Sequence, residues 1–231
     1  MPFYKIEIKE VVMKSILKTT NLSFSYDKIH PVLQDINLEF SKGVVYGIFG
    51  KSGAGKSTLL SLLAGLEKIE AGCIFYQDKD LARCNLDYYR SHDIGIVFQA
   101  YNLLPQLTAI ENVVLSIELN HPKEKNKEEK AKALLKKVGI REDLMKHKIL
   151  KLSGGEQQRV AIARALSYDA DVILADEPTG NLDSDTEDDI INLFLDIAHK
   201  EDKCVIIISH SREVKKHVDI CYHLVHGKIT A

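Results

Sequence analysis

Apolar and polar positions alternate in part over residues 17–26 and 32–40, a period of two that predicts strands with one covered face. Residues 44–49 differ: they form an unbroken apolar run that meets Gly50, then a loop, then an apolar stretch over 57–66. Such a run predicts a buried strand feeding a helix. Further strands are expected at 72–76 and 94–99, and helices at 108–119, 127–138 and 156–166. The dense charge run at 120–130 reads as a solvated loop and helix face. Residues 172–175 and 204–208 are short and strongly apolar, as central strands of a sheet covered on both faces would be. Between them, 184–200 carries Ile190, Phe194 and Ile197 on one helical stripe, with Ile191, Leu195 and Ala198 beside it. The tail at 222–229 reads as a hairpin around Gly227. Strands first, a helix-rich middle and then strand–helix–strand predict an α/β core with a helical insertion at roughly 93–150.

Composition narrows the partners. The 231 residues are 45% apolar and 28% charged with a formal net charge of -2, so the basic excess of a nucleic-acid binder is missing and no nucleic-acid partner is expected. Residues 1–10 offer no apolar core of a secretory signal. The longest uncharged stretch, 94–110, contains Gln99, Asn102, Pro105, Gln106 and Thr108, whose polar groups are costly in lipid. Work at a membrane would therefore go through a partner. Cys73, Cys84, Cys204 and Cys221 form no C-x-x-C pair and no metal-ligand spacing, which reads as reduced thiols in a cytosolic compartment.

The turn after the first buried strand carries chemistry. Gly50-Lys51-Ser52-Gly53-Ala54-Gly55-Lys56-Ser57 fulfils G-x-x-x-x-G-K-[ST] in its required strand–loop–helix setting. Glycines let the loop aim backbone N–H groups at an anion. The helix that follows points its positive end at the same place. Lys56 is expected to neutralise β/γ-phosphate charge and Ser57 to ligate Mg²⁺; Thr58 completes this ATP-binding stretch. A second element sits at the end of the apolar strand Val172-Ile173-Leu174-Ala175, where Asp176 and Glu177 follow. Asp176 is expected to reach the same Mg²⁺ through water, and Glu177 to polarise the attacking water. A plain acidic turn before Pro178 is the alternative when that segment is read alone.

Leu152-Ser153-Gly154-Gly155-Glu156-Gln157-Gln158 opens a helix and is, by itself, a capped N-terminus and an anion site. Set between the phosphate loop and the Asp176-Glu177 strand, it resembles the signature of ABC-transporter ATPases. The resemblance covers the chain from about residue 16 to 229 and implies a P-loop α/β core with an antiparallel β portion near the N-terminus and a helical subdomain. It also implies a division at about residue 15, between a short N-terminal extension and the nucleotide-binding domain. The implied activity is ATP hydrolysis with Mg²⁺. A second copy would bind head-to-tail, and Ser153, Gly154, Gly155, Glu156 and Asp183 would contact the partner chain's ATP. Gln99 resembles the glutamine that touches Mg²⁺ or the lytic water, His210 the switch histidine at the γ-phosphate, and Tyr26 the aromatic stacked on adenine. Tyr26 could equally be a core tyrosine, sharing strand parity with Phe24.

A narrower resemblance rests on Glu177-Pro178-Thr179-Gly180-Asn181-Leu182-Asp183-Ser184 and Tyr101-Asn102-Leu103-Leu104-Pro105. Both look like the macrolide- and lipoprotein-export branch, whose FtsX-like permeases would hold the protein at the cytoplasmic face of the membrane. A cell-division type ATPase acting on a wall hydrolase through such a permease is the alternative, and a soluble ABC ATPase of repair or translation a distant one. Residues 101–107 are expected to dock the permease, since Tyr101, Leu103, Leu104 and Leu107 are apolar and follow Gln99; packing within the helical subdomain is the competing reading. Lys151 departs from the small polar residue common in relatives. The end of the chain soon after the last hairpin suggests no regulatory domain. The first dozen residues are expected to be a loosely docked extension, dispensable for catalysis, although alternation at 4–9 would also suit an edge strand.

Overall fold

The computed structural model of the chain describes residues 14–27 and 29–230. The expectations for the first dozen residues lie outside them.

Two sheets are built from the two kinds of pattern read above. The half-covered strands form an antiparallel sheet in the order β2-β1-β4-β5, from β1 (Ser15–Phe24), β2 (Leu33–Ser41), β4 (Ala71–Tyr76) and β5 (Lys79–Asp80). Their alternation shows directly: in β2 Leu33, Ile36, Leu38 and Phe40 point into the core, while Asp35, Asn37 and Glu39 face solvent. The unbroken apolar runs form the second sheet, ordered β10-β9-β3-β8-β7-β6. It comprises β3 (Val45–Phe49), β6 (Ile94–Val97), β7 (Val172–Asp176), β8 (Cys204–Ser209), β9 (Ile220–Val225) and β10 (Lys228–Thr230). Only β10 runs antiparallel in it.

That parallel sheet separates two apolar cores. Ile173, Ala175, Val205 and Ile207 pack on one side with α3 (Ala109–Asn120), α4 (Lys127–Lys137), α5 (Gly154–Leu166) and α6 (Ser184–Glu201). Val172, Leu174, Cys204, Ile206 and Ile208 pack on the other with α1 (Lys56–Leu63) and the antiparallel sheet. Burying one such aliphatic side chain contributes about 1.5–3 kcal/mol. Exposed ion pairs such as Lys14–Asp78, with both side chains over 70% exposed, are screened by water and contribute far less. Apolar burial, not surface charge, therefore holds the layers together.

The stripe read for residues 184–200 is the buried face of α6: Ile190, Ile191, Phe194, Ile197 and Ala198 are all inside. Three segments are more structured than the sequence pattern suggests. A helical turn α2 (Leu86–Tyr88) widens into a π-type turn through Asp93 before β6. A short helix α7 (Arg212–His217) follows β8. The final hairpin begins earlier, because β9 starts at Ile220 and pairs along β3.

Candidate functional site

The site lies at the carboxyl edge of the parallel sheet, where open α/β sheets bind ligands. Register explains why distant residues meet there. Phe49 pairs with Ser209, Asp176 with Ile208, and Val97 with Ala175. The residues just beyond these pairs are Gly50, His210, Glu177 and Phe98 with Gln99, so four strands deliver their next residues to one rim.

A pocket of about 540 Å³ opens at that rim, lined by Ser52, Gly53, Gly55, Lys56, Ser57, Thr58, Gln99, Glu177 and His210, with Val32 from the antiparallel side. Val32 was not singled out from the sequence, where nothing distinguishes it from any other strand residue. The loop fits its glycines. Gly53 and Gly55 have φ of 77° and 100°, the left-handed region, and a Cβ on Gly55 would press within 3.0 Å of the Val32 carbonyl. Gly55 is also the residue before α1, and no side chain caps that helix, so its first N–H groups remain directed into the loop. The Lys56 amine bridges the loop by donating to Gly50 O at 2.8 Å and Lys51 O at 3.2 Å, and the residue is only 8% exposed. A cation fixed beside exposed helix-end N–H groups is an anion receptor.

The carboxylates stand opposite. Asp176 Oδ1 lies 3.5 Å from Ser57 Oγ, at the outer limit of a hydrogen bond. Burial raises the Asp176 pKa above the ordinary carboxylate value; the Ser57 contact and Lys56 lower it, and Glu177 adds to the rise. Glu177 has a φ of 44° and donates its backbone N–H to Ile208 O at 2.8 Å, which anchors a backbone conformation rare for glutamate. Its side chain is 13% exposed and pairs with His210, 2.9 Å from Glu177 Oε1 to His210 Nδ1. Glu177 Oε2 also accepts from the His210 backbone N–H at 3.3 Å. Gln99 sits in the turn two residues beyond β6, its side-chain nitrogen 3.6 Å from where a Gly180 Cβ would be.

Tyr26 is 64% exposed and is not a core residue; its ring meets the edge of buried Phe24 at 4.9 Å, and its hydroxyl lies 3.3 Å from Thr58 Oγ1. An exposed ring tied to the first turn of α1 can offer a flat apolar face next to the phosphate loop. Gly50, Lys51 and Ala54 shape the loop without lining the pocket.

Ser153, Gly154, Gly155, Glu156 and Asp183 form a second cluster that does not line this pocket. Ser153 accepts from the Glu156 N–H at 3.3 Å and Glu156 accepts from the Ser153 N–H at 2.8 Å, a capping box on α5. Asp183 caps α6 by accepting from the Thr186 N–H at 3.0 Å, a bond that lowers its pKa. The two helix starts adjoin: a Cβ on Gly154 would lie 3.8 Å from Leu182, and one on Gly155 would meet Thr186.

Arg164 escaped the sequence reading. From α5 it donates to the Tyr101 carbonyl at 2.9 Å and to the Asn102 carbonyl, and so fixes two consecutive residues with φ of 59° and 52°. Positive φ at a tyrosine leaves no signal in the sequence; an asparagine there is a weak one.

Mg²⁺ takes oxygen ligands, usually a hydroxyl, water, phosphate and one or two carboxylates. Among the described residues no group of three or more His, Cys, Asp and Glu could hold a metal by itself. Ser57 and Asp176 nevertheless suit this ion. They present two oxygens across a gap that a strong hydrogen bond does not close, and one belongs to a carboxylate whose charge is penalised by burial and would be relieved by a cation.

Known proteins resemble this chain in sequence and in fold. Residues 33–180 match the family described as ABC transporter. An uncharacterised ABC transporter ATP-binding protein of Bacillus subtilis (strain 168), YclH, is 49% identical over 94% of this chain and 96% of its own length. The lipoprotein-releasing system ATP-binding protein LolD of Legionella pneumophila (strain Paris) is 40% identical over 87% of this chain and 89% of its own. The dimeric structure of the bacterial ABC transporter cassette MJ0796 superposes with a TM-score of 0.85 at 33% identity, over 93% of this chain and 97% of that one. A dimeric post-hydrolysis state of the same cassette, bound to ADP and Pi, gives a TM-score of 0.84 at 33% identity and the same coverage.

Proposed function

The chain belongs to the ABC transporter family as an ATP-binding, ATP-hydrolysing subunit, and from that premise we propose how its residues divide the work and which transporter it drives. The observation that carries the reading is the single pocket where Lys56, Ser57, Gln99, Glu177 and His210 converge at the sheet edge.

ATP enters as the substrate. The N–H groups of residues 50–58 and the Lys56 amine bind its phosphates, while Tyr26 supports the base. Ser57 and Asp176 would hold Mg²⁺, and Gln99 lines the same pocket as Ser57; when bound, the ion would supply positive charge against the phosphates. Glu177 accepts the proton as water attacks the γ-phosphorus; the new P–O bond forms in line with the breaking bond to the bridging oxygen, and ADP leaves with that electron pair. His210 orients Glu177 through the 2.9 Å contact at its Nδ1 and lines the pocket that receives the γ-phosphate. Both carboxylate oxygens of Glu177 are engaged by His210, which restrains the base before substrate arrives.

The second cluster completes the site from another copy. Ser153 to Glu156 and Asp183 stand on exposed helix starts outside their own pocket, so in a head-to-tail pair they face the partner's ATP. The dimeric relatives support the pairing of two copies. The likeness to LolD supports the lipoprotein- and macrolide-export branch, with an FtsX-like permease as the membrane partner and the cytoplasmic face of the membrane as the place of work. No helix among the described residues is long and apolar enough to cross a membrane. Docking falls to residues 101–107. Leu104 is 39% exposed and, with Asn102, Leu115 and Leu119, lines a groove of about 350 Å³; Leu103 instead packs against the core and supports the segment from beneath.

Mixing tests the shared site. Lys56→Ala chains and Ser153→Arg chains are each expected to be inactive alone. Their heterodimer has one site with both lesions and one with neither, so ATPase activity should return on mixing, in proportion to the heterodimer formed. Heterodimers shown to form but devoid of activity would overturn the division of labour.

A further inference from the structure

Just before α5 the chain presents a surface that the proposed mechanism does not use. Lys146, His147, Lys148, Leu150 and Lys151 are exposed, because Met145, Ile149 and Leu152 between them turn into the core. Leu150 is 78% exposed, and a tight turn holds it there, Lys151 N–H donating to Lys148 O at 2.9 Å. One exposed leucine is ordinary. A leucine in a six-residue segment, 146–151, that carries three exposed lysines, with the local acids already engaged, is less so. Among the described residues, nearby Glu142 pairs with Lys136 at 3.2 Å and Asp143 with Arg141 at 2.9 Å. Glu111, which faces Lys148, is held by the Thr108 N–H at 2.7 Å and its hydroxyl at 2.8 Å. Glu156 closes the cap at Ser153.

The patch also continues the segment proposed to dock the permease. Ile149 N–H donates to Leu107 O at 3.3 Å, Ala109 N–H to His147 O at 3.0 Å, and Thr108 and Lys148 form an antiparallel bridge. The end of the docking segment at Leu107 is thus tied to residues 147–149.

We infer that this face takes an acidic cytoplasmic segment of the membrane partner, its carboxylates meeting Lys146, Lys148 and Lys151 and an apolar side chain covering Leu150. The inference rests on the docking reading above. Charge complementarity selects an acidic occupant, and continuity with Leu104 to Leu107 selects the membrane partner over an unrelated protein. An anionic bilayer would attract the same lysines. That shared attraction does not explain a patch hydrogen-bonded to the end of the docking segment at Leu107.

The test uses the tagged full chain and the membrane subunit that co-purifies with it from its native membranes, identified by mass spectrometry. Lys148→Glu with Lys151→Glu should weaken retention about tenfold at low salt and flatten its salt dependence, whereas Lys148→Arg with Lys151→Arg should keep both. Replacing carboxylates by lysine in the membrane subunit's acidic segment should restore the charge-reversed chain. Each variant is checked by thermal melt and MgATP-dependent dimerisation. If the wild type retains no membrane subunit, the docking reading falls and this inference with it. If wild type and charge-reversed chains are retained alike, only the patch is wrong. Two further results would overturn it: equal retention with a selective loss of binding to phosphatidylglycerol vesicles, which assigns the patch to lipid, or a Leu150→Asp chain that fails only to dimerise, which assigns it to a second copy.

Discussion

The pocket around Lys56 and the N-terminus of α5 are both built to receive anions, yet they are finished to different degrees. Around Lys56 the chain supplies its own counter-groups: the amine is buried against loop carbonyls, Ser57 faces Asp176, and Glu177 is held by His210. At the start of α5 Ser153 and Glu156 cap each other, and Ser153 and Gly154 are exposed. On the proposed reading the first region binds ATP by itself, and the second completes the site of another copy. A lesion in the first should act inside one chain, and a lesion in the second only between chains.

The sharpest break comes from Glu177→Gln. Removing the base should lower turnover by roughly 10²–10⁴-fold while leaving phosphate contacts from Lys56 in place. ATP should then hold two chains together, visible by size-exclusion chromatography with MgATP. A mutant that stays monomeric and hydrolyses ATP at the wild-type rate would remove Glu177 from its role.

Ser153→Arg comes next. Nucleotide affinity of the isolated chain should stay within about twofold, because Ser153 does not line its own pocket, while ATPase activity should fall by at least tenfold, the order of a lost charge-assisted contact. Equilibrium binding of a fluorescent ATP analogue beside steady-state ATPase measurement separates the two. Equal losses in both would erase the contrast between the regions.

How far the comparison could be read from sequence depends on what each region is made of. The phosphate loop announces itself through residue type, since Gly53 and Gly55 are the glycines its left-handed turns require. The strand runs at 172–175 and 204–208 gave the central sheet because both faces are covered and no polar position interrupts them. The wide turn at Tyr89–Asp93 did not show, because its register is set by tertiary packing: Tyr89 is buried and donates its hydroxyl to Leu63 O at 2.8 Å. Glu177 was legible as a carboxylate but not as a residue at positive φ locked to Ile208, and Arg164 was invisible because its partners are backbone carbonyls 62 and 63 residues away.

Smaller effects sharpen the picture. Leu104→Asp should leave basal ATPase activity within about twofold while lowering co-purification with the permease by about tenfold, the cost of a charge at an apolar contact. Wild-type yield of the complex would move docking away from this segment. Truncation to Met13 should change nothing measurable: turnover as for the full chain and a melting temperature within error. Aggregation or lost activity of the shortened chain would place those residues in the fold.

The split of one sheet between two apolar cores has a genetic consequence. Along Val172–Asp176 and Cys204–Ser209 neighbouring side chains belong to opposite cores, so each strand is written in a two-letter rhythm. Exchanging one aliphatic residue for another leaves the rhythm intact and should cost about 1 kcal/mol. Adding or deleting a single codon reverses every later side chain in the strand and sends Asp176 or Ser209 to the wrong face. Lineages of this protein should therefore accumulate substitutions freely within the strands but length changes hardly at all. Insertions and deletions should collect where no alternation is at stake, as in the lysine-rich loop between α3 and α4, and a deep set of sequences would reveal that as gaps clustering there.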